Sequence, residues 1–120
     1  MTKNTSSTRY YSNNHGESVC KALNASKQPN SGASKFNKGD CINKKASLLI
    51  ECKTCMKDKD SFSIKKEWVE KNKQESFSQR TDYQCIAFNF GPNQSNYYVI
   101  NERLMKMLVE KLEEDNEKGF

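Results

Sequence analysis

Residues 47–53, SLLIECK, alternate between two sets of positions, and this period of two reads as a strand. Leu49, Glu51 and Lys53 fall on one face; Leu48, Ile50 and Cys52 fall on the other. An earlier strand is expected over Phe36–Ile42, with Asn43, Lys44 and Lys45 turning the chain into a hairpin. The run YQCIAFNF over 83–90 predicts a third strand. GPNQSN then turns the chain, and YYVI forms a short last strand.

Helical spacing appears in three places. Residues 15–24 place Val19, Cys20 and Leu23 on one face of a short helix. Ser63 is a candidate N-cap for a helix reaching about Ser78, with Ile64 and Trp68 one turn apart and Glu75 on the same stripe. Asn101 can cap a C-terminal amphipathic helix that turns Leu104, Met105, Leu108 and Leu112 inward. Residues 1–14 read as a flexible Ser/Thr/Asn-rich arm, with Arg9, Tyr10 and Tyr11 able to touch nucleic acid. Residues 25–34 read as a loop, and 57–62 as a charged one. The expected fold is α/β, in the order α-β-β-α-β-β-α. A mixed central sheet is flanked by helices in a single domain over 15–120.

Composition narrows the function classes. The 120 residues are 34% hydrophobic with a mean hydropathy of −0.97, so the core must be small. Twenty Lys and Arg against fifteen Asp and Glu give +5, which suits a polyanionic partner without proving one. No apolar run is long enough to span a membrane, and no secretory h-region opens the chain. A cytoplasmic, reducing compartment is expected, with the five cysteines as mostly free thiols. A single histidine, His15, leaves little for Ser/His or Cys/His catalysis, and no Gly-rich phosphate loop appears.

The chemistry concentrates in KGDCINKKASLLIECKTC. Asp40 is separated by ten residues from Glu51, and Lys53 follows at Glu-x-Lys. The hairpin leaves Asp40 opposite or diagonal to Glu51, where two carboxylates can share a ligand. Mg²⁺ takes hard oxygen ligands, and Asp40, Glu51 and the main-chain carbonyl of Cys52 could supply them. Lys53 would orient water or stabilise a pentacovalent phosphorus. A plain surface ion pair between Lys53 and either acid is the competing reading. Ionisable groups on a strand flanked by Leu48, Leu49 and Ile50 nevertheless call for a partner or a metal. Glu17 is a candidate fourth acid, and Gln74 or Glu75 could face the site from the middle helix. Ser61 and Ser63 are candidate phosphate contacts. Cys52-Lys-Thr-Cys55 lacks the second pair that zinc would need. Cys52 lies within a strand, which argues against a thioredoxin-like role.

The Asp40–x10–Glu51–Cys52–Lys53 pattern resembles the PD-(D/E)xK nuclease superfamily, with Lys38-Gly39 in place of the usual proline. Glu17 before the hairpin, Ser31-Gly32 before its first strand, and SFSIKKEWVEKNKQES with Gln74 are similar to Holliday-junction resolvases of phage or archaeal type. The resemblance covers about residues 15–112 and implies a restriction-endonuclease-like sheet. It implies a Mg²⁺-dependent endonuclease, with Mn²⁺ as a substitute, that cuts branched DNA in recombination. Asp40, Glu51 and Glu17 would be its acids and Lys53 its catalytic lysine. Ser31, Lys35, Lys38, Lys44, Lys45, Ser61, Ser63, Lys65, Lys66 and Gln74 would hold DNA. It further implies a homodimer, and the host cytoplasm if the chain is phage-encoded. A nicking or restriction-type nuclease and a non-catalytic nucleic-acid-binding domain remain the alternatives.

Overall fold

The computed structural model describes residues 8–27 and 40–118, with side chains from Asn14 onward in the first helix. Helix α1 spans Thr8–Ala22, followed by β1 (Ser26–Lys27), β2 (Cys41–Asn43) and β3 (Leu48–Lys53). Helix α2 (Lys66–Ser78) leads to β4 (Tyr83–Phe88), β5 (Tyr97–Val99) and α3 (Glu102–Glu117). The five strands form one mixed sheet in the order β1-β2-β3-β4-β5. β1, β2 and β3 pair antiparallel; β4 joins β3 in parallel; β5 returns antiparallel on β4. A parallel neighbour cannot be reached by a tight turn, and α2 is the crossover that the β3–β4 pairing requires.

Strand alternation assigns the two faces. Cys41, Ile50, Cys85 and Ala87 share a face with α1, where they pack on its Val19 and Cys20. Leu49, Glu51 and Ile86 occupy the other face, and α2 packs over β3 and β4. Leu49, Ile50 and Ile86 are fully buried; each contributes about 1.5–3 kcal/mol of hydrophobic stabilisation. The pattern therefore divides β3 into an apolar face under α1 and a polar-tipped face under α2.

The hairpin turn is held by specific bonds. Asn43 Nδ2 donates to Leu23 O at 2.8 Å, and its Oδ1 accepts from Ala46 N at 3.0 Å. Ser47 sits in the left-handed region at φ 54°. There its carbonyl accepts from Tyr83 N at 2.9 Å and its hydroxyl accepts from Asp82 N at 2.8 Å. The turn thus locks both the β2–β3 register and the start of β4.

Several expectations change. The helix expected from residue 15 begins at Thr8, so 8–14 are helical rather than part of an arm. A short strand, β1, occupies Ser26–Lys27 where a loop was expected, and it covers the edge of β2. The expected first hairpin strand is observed at Cys41–Asn43; residues 36–39 lie outside the described residues. Ser63 is not the N-cap of α2: the cap position is Lys65, whose side chain makes no capping bond. Ile64 consequently precedes the helix and is exposed. Asn101 does cap α3, accepting from Leu104 N at 2.9 Å. Of its apolar side chains, Leu104 and Leu108 face the sheet across an open groove while Met105 and Leu112 are exposed, and no residue of that helix is buried.

A candidate metal centre between β2, β3 and α2

Asp40 immediately precedes β2, and the register Cys41↔Ile50 continues to place it across from Glu51. Both point away from the α1 side, because each lies one residue from a position on that face. Asp40 is 3% exposed and Glu51 2%. On α2, Glu75 follows Trp68 by seven residues and reaches the same place. Carboxylate oxygens of Asp40, Glu51 and Glu75 all lie within 4.8 Å of one another. Ligands on opposite sides of a Mg²⁺ stand about 4.2 Å apart, twice the usual bond length. The three carboxylates are therefore spaced to hold one divalent ion after only small adjustment.

The surroundings fit such an ion. Glu51 Oε1 and Glu75 Oε2 are buried and have no hydrogen-bond partner. Burial pushes the Glu75 carboxyl above its ordinary value, with the Glu51 charge adding to the rise and Lys71 and Lys53 opposing it. Lys71 approaches Glu75 only distantly, at 3.9 Å. Lys53 Nζ lies 3.2 Å from Glu51 Oε2. That contact is a charge pair whose angle is poor for a hydrogen bond, since Glu51 Oε2 also has no hydrogen-bond partner. Two buried carboxylates and a half-buried third stand close together, and a divalent cation would offset their mutual repulsion.

Lys53 is held in place from two sides. Its Nζ lies between Glu51 and the face of Trp68, 4.5 Å from the ring centroid. Lys65 approaches the same ring at 5.6 Å. Trp68 in turn packs on Phe62, which stacks on Phe88 at 4.9 Å. An aromatic ladder thus borders the acids and fixes the height of the lysine above them.

The inward face of α2 is polar, which explains why its role was hard to read. Trp68, Asn72, Glu75 and Ser76 form its inner stripe, and Asn72 and Ser76 are buried. Sequence spacing left Gln74 and Glu75 as equal candidates. Glu75 enters the cluster, whereas Gln74 is exposed and 100° around the helix. Glu17 is exposed on α1 and is not a member of the carboxylate group. The physical reason is that α1 covers the opposite face of the sheet. No local pattern marks Trp68 as the partner of Lys53, because that contact joins residues fifteen apart through the crossover.

The expected DNA contacts are dispersed. Ser61, Ser63, Lys65 and Lys66 are exposed at the entrance to α2, beside the metal centre. Lys66 pairs loosely with Glu70 at 3.8 Å. Lys44 and Lys45 are exposed at the hairpin turn, about four strand positions or roughly 13 Å from Glu51. Ser31, Lys35 and Lys38 lie outside the described residues.

The cysteine thiols take no part in the centre. All five are free thiols. Cys52 is on the α1 face, where burial first and neighbouring groups second raise its pKa; burial likewise pushes Cys85 up to about 12. Thiols held protonated in this way are poor nucleophiles and poor metal ligands. His15 is buried on α1, where Nδ1 lies 3.1 Å from Thr54 Oγ1 and burial lowers its pKa. Among the described residues, no helix is long and apolar enough to cross a membrane.

No family model matches the chain, and comparisons with curated proteins and with solved structures likewise found no match. The functional reading therefore rests on the geometry.

Proposed function

We propose that the protein is a metal-dependent endonuclease that hydrolyses DNA phosphodiester bonds and acts on branched DNA such as a four-way junction. The observation that carries the reading is the convergence of Asp40, Glu51 and Glu75 within 4.8 Å, with Lys53 3.2 Å from Glu51. The order of elements supports it. A helix, an antiparallel β1–β2–β3 unit and a crossover helix to a parallel β4 arrange the Asp and Glu-x-Lys positions as the resemblance to PD-(D/E)xK nucleases leads one to expect.

Asp40, Glu51 and Glu75 would hold a Mg²⁺, or Mn²⁺ in its place, with the Cys52 carbonyl as a further oxygen. The ion would supply Lewis acidity, making water easier to deprotonate and offsetting charge on the scissile phosphate. Lys53 does the positioning. Its ammonium, fixed by Glu51 and Trp68, points into the space beside the acids and can donate hydrogen bonds to the attacking water or to a non-bridging phosphate oxygen. Water adds to phosphorus as one P–O ester bond breaks; the attacking oxygen loses a proton and the leaving alkoxide gains one. The exposed Ser61, Ser63, Lys65 and Lys66 would grip phosphates flanking the cut without reading bases. Symmetric cutting of a four-way junction further asks for two centres related by a two-fold axis.

The test is cleavage of an end-labelled four-way junction and of a linear duplex of the same sequence, in Mg²⁺ and in chelator. Wild type should cut the junction in Mg²⁺ only, and Asp40→Asn should lose at least about a hundredfold. Cutting in chelator, or full activity in Asp40→Asn, overturns the mechanism. Equal cutting of both substrates leaves a nicking or restriction-type nuclease and removes the junction preference.

A further inference from the structure

The sheet has a second polar feature where β3 and β4 end, on the face opposite the acids. In α/β sheets, ligands lodge at the carboxyl ends of parallel strands. Thr54 follows Lys53 and Asn89 follows Phe88, and alternation turns both toward α1. There they meet His15 and, with Asn14, Asn93 and Asn96, line a solvent-open cavity of about 90 Å³. His15 is 5% exposed, and its Nδ1 lies 3.1 Å from Thr54 Oγ1. Its Nε2 is buried and has no hydrogen-bond partner. Burial lowers the pKa of the ring, with the Asn96 side chain opposing the fall, so the imidazole is neutral at neutral pH. A buried polar atom left unpaired costs stability that a ligand atom would restore. The walls are arranged in advance. Asn89 Oδ1 accepts from Gly91 N at 3.3 Å, Asn96 Nδ2 donates to Ser18 Oγ at 3.2 Å, and Asn93 is held at φ 63°.

We propose that this cavity takes the pairing edge of one unpaired nucleobase of a DNA strand, with His15 Nε2 bonding to it. Charge, size and place each point to that ligand. The lining holds no Lys, Arg, Asp or Glu. Asp58 stands behind Gln94, whose Nε2 donates to it at 2.8 Å. An ionic ligand would find no counter-charge there, whereas carboxamides and a neutral imidazole set donors beside acceptors, as a base edge requires. A closed cavity of roughly 150 Å³ holds benzene. The smaller, open one here has room for the six-membered ring that every base carries, entered edge-first with its sugar side in solvent. The pairing edge must be free to enter, so the base has to be out of its duplex. Lys53 and Thr54 are consecutive with side chains on opposite faces, so a strand rounding this end of the sheet passes a phosphate by Lys53 and turns a base toward His15. That placement selects a base within a strand over a free nucleoside or a peptide amide. It rests on the endonuclease reading; the chemistry of the cavity does not.

His15 is the only histidine, so its imidazole nitrogens give an unambiguous nuclear magnetic resonance signal. The test is titration of the full, metal-free chain with thymidine, a thymidine tetranucleotide, an abasic tetranucleotide and N-methylacetamide. Thymidine and its tetranucleotide should both move the His15 Nε2 resonance saturably, the tetranucleotide binding at least about tenfold tighter through its phosphates. The abasic chain and N-methylacetamide should leave it in place. The double variant Asn14→Ala, Asn93→Gly removes two exposed carboxamides, with glycine suited to the positive φ at 93. It should weaken tetranucleotide binding by at least about fivefold with unchanged circular dichroism. A resonance that neither thymidine ligand moves overturns the proposal, as expected if only water fills the cavity. Equal displacement by the abasic chain or N-methylacetamide, a tetranucleotide no tighter than thymidine, or undiminished binding in the double variant overturns it too. No cleavage enters this titration. A nuclease without the base pocket would still cut in Mg²⁺ with His15 silent, and a base pocket on a chain that does not cut would still answer thymidine.

Discussion

At the residue scale the protein brings three carboxylates within 4.8 Å of one another, two of them buried and Glu75 half-buried. Glu75 shows the consequence most directly. Its carboxyl is held above the ordinary 4.5, so the folded, metal-free chain binds that proton more tightly than the unfolded chain does. Stability from this group is present below 4.5 and is lost as pH rises through the raised value. In chelator, wild type and Glu75→Gln should therefore melt alike at acid pH and diverge as pH rises, with the variant the more stable. A comparison at equal pH cancels the opposite contribution of His15, whose lowered pKa makes stability fall as pH drops below 6.5. Melting curves at several pH values check this; identical pH profiles would remove Glu75 from the cluster. Lys53 offers a second prediction. A cation–π contact of about 1 kcal/mol corresponds to roughly fivefold in rate. Trp68→Leu should lower kcat by about that factor and leave metal affinity unchanged, with Trp68→Phe between them. A loss confined to metal affinity would contradict the positioning role.

Asp40, Glu51 and Lys53 were legible in the sequence because strand alternation and one hairpin suffice to bring them together. Glu75 was only half legible. Its stripe on α2 was visible, but which of two adjacent polar residues faced inward depended on where the helix packed. Glu17 failed for a topological reason: α1 and the acids lie on opposite faces of the sheet, and no local pattern in 15–24 records that.

At the scale of elements, α2 is unusual in turning a polar stripe inward. It is anchored at its far end by Ser76, whose hydroxyl donates to Thr81 O at 3.1 Å and lies beside Thr81 Oγ1. Ser76→Ala should cost about 1–2 kcal/mol by chemical denaturation, since it removes a part-buried hydrogen bond to Thr81 O. Metal binding should survive, because Ser76 touches none of the acids; its loss would mean that the α2 register moves with this bond. The strands and the α3 cap were readable from period and from Asn101. The start of α2 was not: Ser63 has the right chemistry for a cap, yet the chain stays extended to Lys65 while Phe62 joins the aromatic ladder. Packing of one ring outweighed a local capping preference worth about 1 kcal/mol.

At the scale of the molecule, the α/β class and the β3–α2–β4 crossover could be anticipated from the order of patterns. The two-residue strand β1 could not, because two residues carry no period. The exposure of α3 was equally hidden, since its amphipathic pattern marks an apolar face without saying how closely the sheet approaches it. A basic chain gripping phosphates from the α2 entrance should bind junction DNA with an affinity that falls steeply as salt rises. A flat salt profile would contradict phosphate gripping. The central claim is that Asp40, Glu51 and Glu75 together hold one divalent ion, and calorimetric titration of the metal-free protein with Mn²⁺ tests it most directly. Wild type should bind one ion per chain, and Asp40→Asn, Glu51→Gln and Glu75→Gln should each weaken binding by at least about tenfold. Absence of binding to wild type, or undiminished binding in all three variants, would contradict the metal centre.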